Sequence, residues 1–356
     1  MFGRYHRYRD IGVCLQMMLD FTVNLKTLGF ECGLSENEKE YLFLRARSAG
    51  LSICGCAHAA FVCKLANSLR KTIQRRILDQ DVGASIVYRP EMELTVGILG
   101  GGNLGKQLAH VLLEKTGIKP SQINISTRRP ETLEGCVKLG IKCYFDNRRL
   151  VAWAHLLFLC CLPSQVTKVC AEICSHVPKH CLVYSFTSAV HVKRLAQILG
   201  HGFILKPQYE FGVCDWSDVC LSHSHLTQAV KDPKLVESSC PLTMSGGLSL
   251  NPKWVSGLFY SLLNICTDAQ RTSAEALELI NSLFKLKESD TAKFTQHSYV
   301  CSSYASSLSP DKPFPWINLI DAQTKETPLS IFITRNKAIQ ECISVVYKQS
   351  LAGQEH

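Results

Sequence analysis

The chain has 356 residues, more than one typical domain holds, so its length suggests two or three domains. With 46% hydrophobic and 19% charged residues, it has enough apolar material for a sizeable core and lacks the composition of a disordered protein. The net charge is +9, and 18 residues are cysteine. A secreted disulfide scaffold would be shorter, richer in cysteine and preceded by a signal peptide. The composition predicts a globular protein with reduced cysteines.

The N-terminal segment lacks a hydrophobic stretch long enough for a signal peptide. Asp10 and Asp20 count against a mitochondrial presequence without excluding one. The apolar run 150–162 is shorter than the ~20 residues that a membrane span needs. We therefore expect an intracellular protein with no membrane partner, with a cytoplasmic location favoured and a mitochondrial one as the alternative.

Residues 1–92 are predicted to form a helical extension. A capping box from Ser35 to Glu38 would satisfy free N–H groups at the start of a helix that runs towards Gly50. Apolar residues four positions apart then indicate a second helix, from Ser52 to Leu78. Basic residues surround that apolar stripe and are predicted to form a solvated face. A basic module that binds nucleic acid or acidic lipid is the alternative, but no interleaved aromatic residues favour it.

Between residues 93 and 211, short apolar strands alternate with amphipathic helices. The strands are predicted at 94–99, 123–126, 141–144, 155–161, 181–186 and 203–205. Strands that alternate with helices of roughly ten residues predict an α/β fold of the Rossmann type, a doubly wound parallel sheet.

The remaining chain is predicted to contain an irregular linker and a helical C-terminal domain. The linker spans 212–250, where serine, histidine, cysteine and glycine predominate, and the helical domain spans 251–356. Within that domain, helix starts are expected at Asn251 and Thr272, a Ser/Pro-rich loop at 302–315 and a final helix at 337–351.

A glycine-rich turn directly follows the first predicted strand and precedes a helix. Gly100 allows the tight turn, Gly102 lets a pyrophosphate approach the backbone, and Gly105 allows the helix to pack closely on the strand. The helix start offers N–H groups and the positive end of its dipole to the phosphates. We therefore predict a dinucleotide site, with a glycine turn that holds no ligand as the alternative. The predicted binding residues of the turn are Gly100, Gly101, Gly102, Asn103, Leu104 and Gly105.

The end of the second strand indicates which dinucleotide binds. NAD sites usually place a carboxylate there for the ribose hydroxyl, whereas this chain has Ser126, Thr127, Arg128 and Arg129, with no carboxylate before Glu131. Forked, permanently charged guanidinium groups suit a 2′-phosphate. NADP is therefore the predicted cofactor, and an exposed basic loop is the alternative.

Three stretches resemble the pyrroline-5-carboxylate reductase family and, more closely, a divergent branch of NADP-dependent oxidoreductase domain-containing proteins. The resemblance covers about residues 93–210. The segment 96–105 is similar to the family turn V-G-F-I-G-x-G-N-M-A, in which Asn103 is more distinctive than the glycines. The segment 125–128 resembles the S-x-R loop, and 158–163 lies where the family has F-L-A-V-K-P. The resemblance implies that Asn147 contacts the adenosine side of the cofactor and adds three cofactor-site residues, Cys161, Leu162 and Pro163.

The chain departs from the family pattern at several positions, and most of all outside the cofactor half. Leu162 replaces the lysine of V-K-P, and His155 replaces an aspartate of the family. Of the cleft motif R-v-M-P-N-T-P only Pro207 is kept, and the last third lacks both the S-G-S-G-P-A helix start and the S-P-G-G-T-T segment that receives the pyrroline carboxylate. The resemblance therefore implies an NADP-dependent oxidoreductase, but it does not imply proline synthesis.

Other groups could carry chemistry, although packing or surface roles are preferred for them. Lys206 follows the last strand and could polarise a carbonyl or imine substrate, with a solvated strand end as the alternative. A metal cluster at Cys54, Cys56 and His58 is disfavoured, because positions two apart face different sides of a helix. The other candidates are a cysteine pair with nearby histidines and a histidine loop, namely Cys170, Cys174, His176, His180, His223 and His225.

Taken together, these features predict hydride transfer between NADP(H) and a small imine or carbonyl substrate, with an unidentified proton donor. A catalytically silent relative that binds NADP(H) in a structural or sensing role is the alternative. A small-molecule substrate is the expected partner, and a homo-oligomer through the C-terminal helices is considered. No metal and no nucleic acid are expected.

Overall fold

The computed structural model describes residues 35–80, 93–212, 226–245, 247–286 and 293–352. The strands are β1 Val96–Leu99, β2 Ile123–Ser126, β3 Lys142–Tyr144, β4 Leu156–Leu159, β5 Leu182–Ser185, β6 Ile204–Leu205, β7 Tyr209–Phe211 and β8 Leu248–Leu250. The helices before β7 are α1 Glu36–Gln80, α2 Asn103–Thr116, α3 Glu134–Lys138, α4 Asn147–Trp153, α5 Pro163–Ile173 and α6 Val192–Leu199. The helices after β7 are α7 Leu226–Ala229, α8 Pro233–Ser238, α9 Lys253–Asp268, α10 Ser273–Leu283, α11 Gln296–Tyr299, α12 Ser302–Ser307, α13 Leu319–Thr324, α14 Pro328–Arg335 and α15 Lys337–Leu351.

Six parallel strands form the central sheet in the order β3-β2-β1-β4-β5-β6. Every residue of β1, β2, β4 and β5 is buried, because helices cover both faces of the sheet. The order reverses between β1 and β4, and ligands of doubly wound sheets bind beyond the strand ends at such a switch point. The predicted Rossmann-type fold is confirmed.

The N-terminal helix differs from the two helices that the sequence predicts, because α1 continues through Gly50 as one helix of 45 residues. A single glycine costs a helix only about 1 kcal/mol relative to alanine, so packing can hold it in place. The predicted capping box is present: the Ser35 N–H donates to the Glu38 carboxylate at 2.8 Å, and the Glu38 N–H donates to Ser35 Oγ at 3.4 Å. The rest of the predicted extension, residues 1–34 and 81–92, lies outside the described residues.

By length and composition alone, α1 could cross a membrane, which the sequence analysis did not anticipate. The segment Leu44–Asp79 contains a stretch with a mean hydropathy of 1.5. However, 78% of that stretch is buried inside the protein, where α1 packs against α2, α9, α10 and α15. The helix therefore serves here as a core element, joining the sheet layer to the C-terminal helices.

Two segments expected to be irregular contain regular structure. Within 212–250, β8 pairs antiparallel with β7, and α7 and α8 precede it, while residues 213–225 and 246 lie outside the described part. These elements are too short to show a period, but Asp232 caps α8 by accepting from the Lys234 N–H at 2.9 Å. Within the predicted loop 302–315, α12 forms, and Ser306 Oγ donates back to the Ser302 carbonyl at 2.9 Å.

Replacing a buried aromatic residue of α1 tests its role in the core. The ring of Phe61 is fully buried and meets the Tyr347 ring edge-on at 5.1 Å. We expect Phe61→Ala to lower the free energy of unfolding by about 3–5 kcal/mol, because it removes apolar contacts and leaves a cavity. Tyr41→Ala on the exposed start of the same helix is the control and should change it by about 0.5 kcal/mol or less. Urea unfolding followed by circular dichroism measures both, and equal effects would contradict the packing of α1.

Candidate functional site

The glycine turn lies at the carboxyl end of β1, where main chain packs directly on main chain. Gly100 has a φ of +112°, and its N–H donates to the Ser126 carbonyl at 2.9 Å. A Cβ on Gly100 would lie 2.8 Å from the carbonyl carbon of Cys160, and one on Gly105 would lie 2.0 Å from the Gly100 oxygen. Neither position therefore accepts a side chain without movement of the backbone.

Gly102 differs from these neighbours, because a Cβ there would meet no described atom within 4 Å. It is the N-cap of α2, and no side chain of the described residues caps this end of the helix. The first main-chain bond of the helix runs from the Lys106 N–H to the Gly102 carbonyl at 3.0 Å, so the preceding N–H groups have no partner within the helix. Open space thus lies in front of uncapped amides, an arrangement that suits an anion.

The two arginines predicted for a 2′-phosphate lie at the end of β2, the neighbour of β1. Arg128 and Arg129 are exposed, and neither forms an ion pair with any residue in the described part of the chain. The N–H of Thr127 donates to the Tyr144 carbonyl at 2.9 Å, which fixes the start of this loop. Both guanidinium groups therefore remain available to a ligand at this edge of the sheet.

Ser126 and Asn147 are buried beneath the same edge and bind each other. Ser126 Oγ donates to Asn147 Oδ1 at 2.8 Å, and Asn147 Nδ2 donates to Glu172 at 3.0 Å. Asn147 thus uses both ends of its amide inside the protein, where it positions the loop that carries the arginines. Its predicted contact with the adenosine side of a cofactor stays a prediction.

The three remaining predicted residues lie at the end of β4, on the other side of β1 from the arginines. The Leu162 side chain is 64% exposed, Cys161 is half-buried, and Pro163 begins α5. A Cβ on Gly100 would come within 3.0 Å of the Cys161 nitrogen, so this segment adjoins the glycine turn. The fold thus brings all predicted cofactor residues to one edge of the sheet.

A cleft of about 280 Å³ lies beyond the ends of β5 and β6. Its wall is formed by four parts of the chain: the segments after β5 and β6, the start of α9 and helix α13. Its lining residues are Ser188, Ala189, His191, Val192, Lys206, Gln208, Asn251, Trp254 and Gln323. Lys206 is the candidate among them that its position after the last strand predicts. Trp254 and Gln323 carry no sequence signal of a site, because only the packing of the C-terminal helices brings them to the sheet.

Lys206 is a half-buried cation in the wall of this cleft. Its Nζ lies 3.5 Å from the Ser188 carbonyl and forms no ion pair with a described residue. Burial lowers the pKa of its ammonium group below the ordinary lysine value. The main chain is held by Gln323, whose Oε1 accepts from the Lys206 N–H at 2.9 Å.

A mammalian relative matches nearly the whole chain. The chain is 39% identical over 340 residues to the mouse protein named NADP-dependent oxidoreductase domain-containing protein 1, covering 92% of this chain and 93% of that protein. The chain belongs to the family of this protein. Residues 95–188 also match the family described as NADP oxidoreductase coenzyme F420-dependent. Family membership shows a general oxidoreductase role.

The similarity to pyrroline-5-carboxylate reductases covers a smaller part of the chain. The Escherichia coli (strain K12) enzyme is 31% identical over 111 residues, which is 31% of this chain and 41% of the enzyme. The solved pyrroline-5-carboxylate reductase from Coxiella burnetii is 15% identical with a TM-score of 0.31, covering 73% of this chain and 99% of that one. A likeness at that score carries no argument, and the fold is established by the strand order alone. The predicted resemblance to this family through a divergent branch is confirmed.

The other candidate groups that the structure describes lie outside the cleft and the glycine turn. His58 is fully buried, its Nε2–H donates to the Ser239 carbonyl at 2.8 Å, and its Nδ1 accepts from the Tyr209 hydroxyl at 2.6 Å. Burial lowers its pKa to about 4, so the imidazole is neutral and fully hydrogen-bonded near neutral pH. Cys170 is buried whereas Cys174 is exposed. Among the described residues no group of three or more His, Cys, Asp or Glu could hold a metal ion, and the predicted histidine loop (223–225) lies outside them.

Two glycine substitutions separate the open position of the turn from a packed one. We expect Gly102→Val to change the free energy of unfolding by about 1 kcal/mol or less, because the backbone is extended there and the space is open. Gly105→Ala should lower it by at least about 1–3 kcal/mol, since its methyl group would overlap the Gly100 oxygen. Thermal and urea unfolding of the two variants measure this difference. A Gly102→Val chain less stable than Gly105→Ala would contradict the geometry of the turn.

Proposed function

We propose that the chain transfers a hydride between NADP(H) and a small imine or carbonyl substrate that binds in the cleft beyond β5 and β6. The observation that carries this proposal is the open space at Gly102, which faces the uncapped amides of α2 at the switch point of the sheet. A pyrophosphate fits such a position, because helix N–H groups and the helix dipole both favour an anion there.

The residues around the turn would hold the adenosine end and the pyrophosphate of an NADP molecule. Arg128 and Arg129 at the end of β2, which form no ion pair with a described residue, would hold a 2′-phosphate through forked, charged hydrogen bonds. Ser126 and Asn147 would support them from beneath, while Thr127 and the segment from Cys161 to Pro163 would line the two sides of the turn. When bound, the cofactor supplies the hydride and its electron pair.

The order of the strands indicates where the reactive end of the cofactor would lie. With the adenosine end at β2, the molecule crosses the turn towards β4 and β5. β5 is the second strand from β1 and therefore lies about 10 Å away at the usual strand spacing. The cleft begins at that strand. Its wall holds the substrate against the sheet edge, and the buried Trp254 helps to exclude water from it.

A catalytically silent relative would need the cofactor site but no substrate site. The half-buried ammonium group of Lys206 in the cleft forms no ion pair with a described residue. It favours the enzyme over that alternative, because such a charge in a concave site usually serves binding or catalysis. The test is turnover of bound NADPH with a panel of aldehydes, ketones and cyclic imines. Tight NADPH binding without any turnover would support the silent alternative.

The preference for NADPH is tested by removing the two guanidinium groups. We expect the chain to bind NADPH more tightly than NADH, and Arg128→Ala with Arg129→Ala to weaken NADPH binding by about 10- to 100-fold through lost charged hydrogen bonds. Affinity for NADH should barely change, since it lacks the 2′-phosphate. Fluorescence titration of the reduced cofactor measures both affinities.

Arg194→Ala, an exposed arginine of α6, is the matched control and should leave both affinities unchanged. Gly102→Val should abolish binding of both cofactors while the chain stays folded. A preference for NADH, or full affinity in Gly102→Val, would contradict the assignment of the cofactor site.

A further inference from the structure

We propose that the substrate is a carbonyl compound rather than an imine, and that Lys206 donates the proton that the carbonyl oxygen takes up when it is reduced. The proposal rests on the function proposed above and specifies the substrate class of the same cleft. It also assigns the proton donor that the sequence analysis could not identify.

The polar groups of the cleft wall favour an oxygen acceptor. A lysine ammonium group and an indole N–H can only donate hydrogen bonds. The Trp254 side chain is 1% exposed, and its buried Nε1–H has no partner among the described residues. A buried donor without an acceptor is unfavourable, so this N–H leaves an unsatisfied donor within the wall of the cleft. The Lys206 ammonium group, which is only half-buried, is the donor from which a carbonyl or alkoxide oxygen in the cleft would accept a hydrogen bond.

The positive charge of the cleft disfavours an imine substrate. An imine becomes reactive towards hydride as a cationic iminium ion, which would lie beside the Lys206 ammonium group. Among the described residues that line the cleft none is acidic, so none of them offers a carboxylate to offset two like charges. The second titratable group of the described wall is His191, whose Nδ1 accepts from the Lys193 N–H at 3.3 Å. A neutral or anionic carbonyl compound meets no such repulsion.

Lys206 is held in a position from which its ammonium group can turn to a substrate. Gln323 accepts from the Lys206 N–H, and Gln323 Nε2 donates to the carbonyls of Ile204 at 2.7 Å and Leu319 at 2.9 Å. These bonds fix the lysine main chain between β6 and α13. The Nζ contact with the Ser188 carbonyl, at 3.5 Å, is long and is easily exchanged for a substrate oxygen. Burial also makes this ammonium group more acidic than a free lysine, which suits a general acid.

The reduction balances with Lys206 as the proton source. The carbonyl carbon accepts a hydride with its electron pair from the reduced nicotinamide, and a C–H bond forms. The C=O π bond breaks towards oxygen, which takes a proton from Lys206 Nζ and becomes a hydroxyl group. Lys206 is left as a neutral amine that regains a proton from water. The alcohol and the oxidised cofactor are the products.

The first experiment compares matched substrates on the full chain with NADPH bound. Each pair consists of a ketone and a cyclic imine of equal ring size, so that the two differ in C=O against C=N. The pairs are cyclopentanone with 1-pyrroline and cyclohexanone with 1-piperideine. Small aldehydes and 2-oxo acids extend the carbonyl set. We expect turnover of carbonyl compounds at least 10-fold faster than of the matching imines. Faster imine reduction, or no carbonyl turnover while NADPH binds, would overturn the proposal. Failure of NADPH to bind would overturn the proposed function itself and is detected separately by titration.

The second experiment uses variants of Lys206 on the best carbonyl substrate. Lys206→Met should lower kcat by at least about 100-fold, the usual contribution of a positioned general acid. Lys206→Arg keeps the charge but gives up no proton, so it should restore KM without restoring kcat. Lys193→Met, which removes one exposed charge near the cleft, should leave both constants unchanged. Equal loss in Lys193→Met would contradict a specific role for Lys206.

The pH dependence and the chemistry of the free amine give independent readouts. Because the protonated form donates, kcat should be full below the pKa of Lys206 and fall above it, and Lys206→Met should lack this fall. If His191→Asn removes it instead, the donor is His191 and the proposal is wrong. Without any cofactor, competitive acetylation followed by peptide mass spectrometry should show Lys206 reacting at lower pH than the exposed Lys193. Identical reactivity of the two lysines would also contradict the proposal.

Discussion

The close approach of α2 to the end of β1 is the constraint on which the functional half of the protein depends. A single methyl group on Gly105 would lie 2.0 Å from the Gly100 oxygen, so helix and strand can meet at this distance only without side chains. The approach sets the direction of α2 and brings its uncapped amides to the switch point of the sheet. It leaves Gly102 as the open position of the turn. One steric requirement thus produces both the local packing and the place for an anion.

The cofactor edge and the cleft of the proposed site are built from different parts of the fold. The cofactor edge comes from consecutive strand ends of one sheet, and its arginines are exposed and unpaired among the described residues. The cleft instead joins segments far apart in the chain, and the hydrogen bonds of Gln323 to the main chain around β6 hold them together. A change in the C-terminal helices therefore alters the cleft while the cofactor edge stays intact. This difference explains how one half can resemble a known family closely while the other departs from it.

Helix α1 links these parts by packing against both of them. Its apolar stretch would suit a membrane by composition, but the protein buries most of it between the sheet layer and the C-terminal helices. Lys64 of this helix and Lys115 of α2 donate to the last carbonyls of α15, at 2.8 Å and 2.7 Å, which places cations at the negative end of that helix. The buried His58 extends the same packing towards β7 and Trp254. The cleft wall is therefore supported from α1 as well as from the sheet.

The sequence by itself determined the alternation of strands and helices, the Rossmann-type sheet, the glycine turn and the arginines beside it. These features are local: a strand period, a capping residue or a glycine spacing acts over a few neighbouring residues, and α6 and α15 begin and end where the pattern predicts. Tertiary packing decided the continuity of α1 and the pairing of β7 with β8. Burial outweighs the weak tendency of Gly50 to end a helix, and short segments such as β7 and β8 have little conformational preference of their own. The cleft was decided in the same way. Lys206, Trp254 and Gln323 carry no shared motif, and only the folded chain brings these three residues to the wall of one cleft.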